Sequence, residues 1–116
     1  MAIHRRAEVL EACAALPATT DERPFGPETA VAKVVGKVFA ITPLDSEAES
    51  VTLKAAPAHA EALVRDHSWI TPGYHMNKRH WVTVALTPET DGELVLDLLV
   101  NSYDLVVAGL PRAQRP

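Results

Sequence analysis

Residues 29–42 constrain the fold more than any other stretch of this chain. Two β-rich runs, residues 29–35 and 38–42, flank the pair Gly36-Lys37. That pattern predicts a β-hairpin, because glycine takes positive φ without steric cost. Pro43 and the acidic residues Asp45, Glu47 and Glu49 then form a solvated turn. Residues 50–54 alternate in polarity and predict a third strand. Residues 79–86 predict another, with Trp81 and Thr83 facing opposite to Val82 and Val84. Residues 69–71 fit a short strand before the Pro72-Gly73 turn.

Three segments carry helical periodicity instead. In residues 3–15, Ile3, Ala7, Leu10 and Ala14 form one stripe, and Pro17 stops the helix. Pro57 suits the first turn of a second helix, with Ala60, Leu63, Val64 and His67 inward. Residues 91–108 form a third, with Asp91 as its cap. Its stripe is Leu94, Leu98, Asn101, Leu105 and Ala108, widened by Val95, Leu99 and Val106. Residues 17–28, with three prolines and Gly26, read as a loop. The predicted order is α-β-β-β-α-(β)-β-α, an α+β two-layer sandwich of an antiparallel sheet with helices on one face.

A chain of 116 residues fits one domain, 1–116, large enough for a core without metal or disulfide staples. Cys13 is the only cysteine, so no intramolecular disulfide forms, as suits a reducing compartment. Among apolar neighbours and beside Glu11, it reads as a small buried hydrophobe, not a reactive thiol. Glu8 and Glu11 interrupt the apolar stretch after Arg5 and Arg6, so it lacks the continuous apolar core expected of a signal peptide. No segment approaches a membrane span, and the expected location is the cytoplasm. A formal net charge of -4 gives no immediate indication of a nucleic-acid partner, although it leaves room for a local basic face.

No residue pattern announces catalysis. His75 and His80, five apart and flanked by Lys78 and Arg79, make a poor zinc site because the cations would repel the metal. Asp45, Glu47 and Glu49 lack the glycine and distal glutamate of a calcium loop. The five glycines are dispersed, so no phosphate-binding loop exists. Cys13 and Ser102 both sit on predicted helices, not on sharp nucleophile turns. The expectation is a protein that is not an enzyme and carries neither cofactor nor metal.

Residues 73–84 are the most distinctive stretch. They hold Tyr74, His75, Asn77, Lys78, Arg79, His80 and Trp81 in a turn leading into a strand. Such a cluster suits a ligand or nucleic-acid surface, where cations meet phosphate and an aromatic stacks. It equally suits a hairpin held by local hydrogen bonds with Trp81 packed on a helix. Lys33, Lys37 and Lys54 are further strand or turn cations, and Lys37 lies at the tip of the first hairpin. Two cationic hairpins could straddle a duplex, or could be charged edges that discourage aggregation.

These residues bear a family resemblance. Pro24-Phe25-Gly26, Leu53-Lys54 before a proline-started helix, His75-Met76-Asn77-Lys78-Arg79-His80-Trp81, and Ser102-Tyr103 before Gly109-Leu110-Pro111 resemble the MmcQ/YjbR family of small bacterial proteins. The resemblance implies a frataxin-like (CyaY-like) fold and a DNA-binding protein of double-wing type. The wing positions it implies are Lys33 and Lys37 on one hairpin, and Lys78, Arg79 and His80 near the other. Iron binding does not carry over, since the first helix sets Arg5 and Arg6 against Glu8 and Glu11 and forms no acidic ridge. Two expectations stand side by side: a module for double-stranded DNA, and an adaptor for a protein or small ligand. The adaptor would use a groove containing Tyr74, His75, Asn77, Trp81 and Tyr103.

Overall fold

The computed structural model describes residues 2–73 and 77–116. Helix α1 (Arg6–Ala14) precedes strands β1 (Thr19–Glu22), β2 (Thr29–Val34), β3 (Lys37–Pro43) and β4 (Ser50–Lys54). Helix α2 (Pro57–Asp66), strands β5 (Ile70–Pro72) and β6 (Trp81–Ala85), helix α3 (Gly92–Ala108) and a 3-10 turn (Arg112–Gln114) follow. The six strands form one sheet, order β1-β2-β3-β4-β6-β5, with every neighbouring pair antiparallel.

The order therefore has one strand more than the expected α-β-β-β-α-(β)-β-α. Residues 17–28 are not all loop: Thr19–Glu22 pairs along β2, with Thr19 opposite Val34 and Glu22 opposite Val31. This edge strand is Thr-Thr-Asp-Glu. It has no apolar alternation to betray it, because an edge strand needs only backbone pairing and gains from surface charge.

The β2–β3 hairpin closes through Val35 and Gly36, one residue earlier than the Gly36-Lys37 pair suggested. Both central residues have positive φ, 48° and 77°, as a type I′ turn demands. A β-branched residue is strained there, and Val35 is also exposed. Val35→Asn should raise stability by about 0.5–1 kcal/mol, because asparagine tolerates the left-handed region. Urea denaturation checks this; an unchanged or lower midpoint would mean that the valine is not strained.

Residues opposite one another in an antiparallel ladder share a face. Ala32, Ala40, Leu53 and Val82 form one such row, and Val51, Val84 and Ile70 another. All belong to the core or pack against it, together with Val9, Cys13, Leu63, Val95 and Leu99 from the helices. The three helices thus cover one face of the sheet. Ile41, Thr52, Thr83 and Thr71 make the opposite row, where the Thr52 and Thr83 hydroxyls are 3.0 Å apart. The β2–β3 register slips between Ala32 and Lys33, which leaves Phe39 as the extra residue of a bulge. Its ring enters the core and meets Tyr103 edge-to-face, with centroids 5.4 Å apart.

Two helical stripes differ from the expected ones. In α1 the buried residues are Val9, Ala12 and Cys13, whereas Ala7 and Ala14 are exposed. Helix α1 starts only at Arg6, where Glu8 Oε1 accepts the backbone N–H groups of His4 and Arg5 at 2.9 and 3.0 Å. In α3 the Asp91 carboxylate accepts from the Glu93 and Leu94 N–H groups, as a cap should. Burial there centres on Val95, Leu98, Leu99, Ser102, Tyr103 and Val106.

Candidate functional site

Antiparallel pairing brings distant cations to one end of the sheet. Strand β2 ends and β3 begins where Val34 faces Lys37, and β4 ends and β6 begins where Lys54 faces Trp81. Because β3 runs antiparallel to β4, these two places lie at the same end. Lys33, Lys37 and Lys54 therefore gather there, and the turn carrying Lys78 and Arg79 leads directly into Trp81. All four lysines of the chain lie at this end. The opposite end holds Asp45, Glu47 and Glu49 between β3 and β4, Glu89 and Asp91 between β6 and α3, and Glu93 in the first turn of α3. The net charge of -4 thus averages over a chain whose lysines gather at one end.

The cations differ in availability. Lys33 Nζ sits 3.2 Å from Glu22 Oε1, and Thr20 and Lys33 together hold the Glu22 carboxyl below its usual range. The remaining ion pairs among the described residues are Arg5–Glu49, Arg23–Asp21 and Arg65–Asp66. None involves Lys37, Lys54, Lys78 or Arg79, so these four charges are free to meet an outside anion. Lys37, Lys78 and Arg79 are exposed and Lys54 is half-buried.

The turn at 77–80 is built by its own hydrogen bonds. Asn77 Oδ1 accepts the Arg79 N–H at 3.0 Å, and the Asn77 carbonyl accepts the His80 N–H at 3.0 Å. Asn77 therefore shapes the turn that projects Lys78 and Arg79. The His80 carbonyl accepts the Ala55 N–H, tying this turn to the end of β4. Gly73 closes β5 on β6: a Cβ there would lie 2.7 Å from Trp81 Cβ. Tyr74 and His75, expected in the groove, lie outside the described residues.

Tyr103 is not a groove residue. It is buried, and its hydroxyl donates to the Pro17 carbonyl at 2.6 Å. It was expected in the groove, but its ring packs edge-to-face on Phe39 in the core. Trp81, by contrast, is half-buried and lines a concavity of about 300 Å³. Its other walls are Lys37 and Lys54 with Val38, Leu105, Val106, Gly109 and Leu110. Lys54 is the site residue that sequence pattern undervalued, since its place opposite Trp81 depends on β4 pairing with β6 across α2 and β5.

Ser102 organises this end from behind. Its Oγ accepts the Lys54 N–H at 2.8 Å and donates to the Phe39 carbonyl at 2.6 Å. The β3–β4 ladder ends at Ala40 opposite Leu53, and the hydroxyl bridges the two strands where they part. The Cys13 thiol is also part of the fold: burial, with Asp21 adding, pushes its pKa up to about 12. It should resist alkylation at pH 8 in the folded protein and react once the chain unfolds in urea. The folded state keeps the thiol proton to about pH 12, whereas an ordinary thiol releases it near 9.0. Stability should therefore fall as pH rises between these values, by at most about 1.4 kcal/mol per unit, and Cys13→Ala should flatten that fall.

Among the described residues, no three His, Cys, Asp or Glu side chains converge to hold a metal. Nor is any helix among them long and apolar enough to cross a membrane.

Comparison with known proteins gives the family. The YjbR family model matches residues 14–105. The chain belongs to the YjbR family. It is 38% identical over 89 residues to the Escherichia coli O157:H7 protein YbdF, covering 77% of this chain and 73% of YbdF. To Escherichia coli K12 YjbR it is 32% identical over 108 residues, covering 93% and 92% of the two chains. The crystal structure of Deinococcus radiodurans DR2400, a DUF419 domain, matches with a TM-score of 0.89 at 36% identity. That match covers 97% of this chain and 86% of the other. A Pseudomonas syringae protein at 24% identity shares the YjbR fold, with a TM-score of 0.75 over 87% of this chain and 97% of its own.

Proposed function

We propose that this YjbR-family chain is a non-enzymatic, cytoplasmic binding protein that grips the backbone of double-stranded DNA through the cationic end of its sheet. One observation carries the reading: Lys37, Lys54, Lys78 and Arg79 share that end, and none is in an ion pair with a described carboxylate. Unpaired cations on two neighbouring hairpin ends suit phosphates on either side of a groove, as the double-wing description of the family implies. The helices on one face of an antiparallel sheet support the frataxin-like (CyaY-like) comparison. Cys13 and Ser102, nucleophiles carried on helices α1 and α3, are both engaged in the fold, which supports a role without catalysis.

Contacts to phosphate alone give micromolar-range, salt-sensitive affinity with little sequence reading. Fluorescence anisotropy of a labelled duplex tests this. Binding should be clear at low salt and fade steeply as salt rises. No binding at low salt would remove the DNA reading. A second reading, an adaptor for a protein or small ligand, is favoured by the Trp81 concavity. An occupant held there by apolar contact would raise Tm to a similar extent at low and high salt.

A further inference from the structure

We infer that the Trp81 concavity receives one unpaired nucleotide of a nucleic-acid strand, its base beside the indole and its phosphates on Lys37 and Lys54. This deepens the DNA reading and rests on it. Lys54 and Trp81 face one another at the last rung of the β4–β6 ladder, at the end of the sheet, where the C-terminal end of α3 lines the same concavity. Val38, Leu105, Val106 and Leu110 supply apolar walls, and no carboxylate lines the site. The neighbouring concavity that holds Lys78 and Arg79 includes Glu61, and the one beside His4 includes Glu47 and Glu49. Among these three, only the Trp81 site combines an aromatic ring with cations and no opposing charge.

The end of α3 does not spoil it for an anion. A helix C-terminus carries partial negative charge on its last carbonyls. Here Arg115 donates to the Ala108 and Leu110 carbonyls at 3.0 and 3.1 Å, covering them with a fixed cation. A volume of about 300 Å³ suits a single small planar group. A paired base inside a duplex stack cannot enter, whereas an unpaired one presents a free π-face. The lysines beside it continue towards Lys78 and Arg79, so a strand whose base is seated there keeps its flanking phosphates on the same cationic end.

The test compares a blunt duplex with the same duplex carrying a four-nucleotide thymidine overhang, using Trp69→Phe protein so that Trp81 alone reports fluorescence. The overhang should bind about tenfold more tightly, as expected for stacking one base, and should quench Trp81. The blunt duplex should bind without quenching. Trp81→Leu should lose the tenfold preference and bind the overhang and the blunt duplex equally. If that variant does not fold, quenching in the Trp69→Phe protein decides by itself. Equal affinities with no quenching would overturn the unpaired-base site and leave the duplex reading intact. Failure of both DNAs to bind would remove both.

Discussion

Ser102→Ala is expected to destabilise the protein by about 2–3 kcal/mol, because it strands two buried backbone groups at once. Ser102 is fully buried, and its hydroxyl both accepts the Lys54 N–H and donates to the Phe39 carbonyl. The strands part here because the Phe39 bulge turns β3 away from β4, so neither group can find the other. Alanine removes little volume but leaves a donor and an acceptor in the interior without partners. In a chain of this size the loss corresponds to a Tm lower by roughly 10 °C. Asn101→Ala, one residue earlier on the half-exposed side of α3, should cost under about 0.5 kcal/mol and serves as control. A Ser102→Ala loss no larger than the control's would mean that the strands close up or admit water without it. The effect reaches function as well, since this bridge fixes the backbone of Lys54 opposite Trp81.

The second large effect concerns binding. Replacing Lys37, Lys54, Lys78 and Arg79 together by alanine should weaken duplex binding by on the order of a hundredfold at low salt. The slope of log affinity against log salt should shrink by about one per cation removed, towards a total of three to four. Stability should change little. Three of the four side chains are exposed and none is in an ion pair with a described carboxylate, while the part of Lys54 that holds the fold is its backbone. Lys33→Ala alone should have a smaller effect, because Glu22 already occupies its ammonium. A fourfold variant that folds, melts normally and binds DNA with an unchanged salt slope would contradict the assignment of these residues.

The β2–β3 hairpin was legible because Gly36 sits between two β-rich runs, and α3 because Asp91 caps a long apolar period. Strand β1 was not, since Thr-Thr-Asp-Glu carries no hydrophobic alternation and its pairing is made by backbone alone. The face of α1 was misread for a different reason. With Ala7, Ala12 and Ala14 spread around the helix, several faces look apolar, and it is Val9 and Cys13 that settle the orientation. The cations themselves were visible in sequence, but their gathering was not. Lys54 meets Trp81 only because β6 pairs with β4 and leaves β5 at the edge, a choice made by long-range packing. Tyr103 shows the converse: an aromatic near a presumed groove is withdrawn into the core by a bulge three strands' worth of sequence away.

The lysine-bearing end of the sheet is the surface we propose for nucleic acid. Its most direct test is a titration of ¹⁵N-labelled protein with a short duplex, followed by amide chemical shifts at low salt. Shifts should concentrate at Lys37, Lys54, Lys78, Arg79 and Trp81 and leave the acidic end, at Glu47, Glu49 and Glu93, unmoved. Shifts centred on the acidic end, or none at protein and DNA concentrations of hundreds of micromolar, would overturn that assignment.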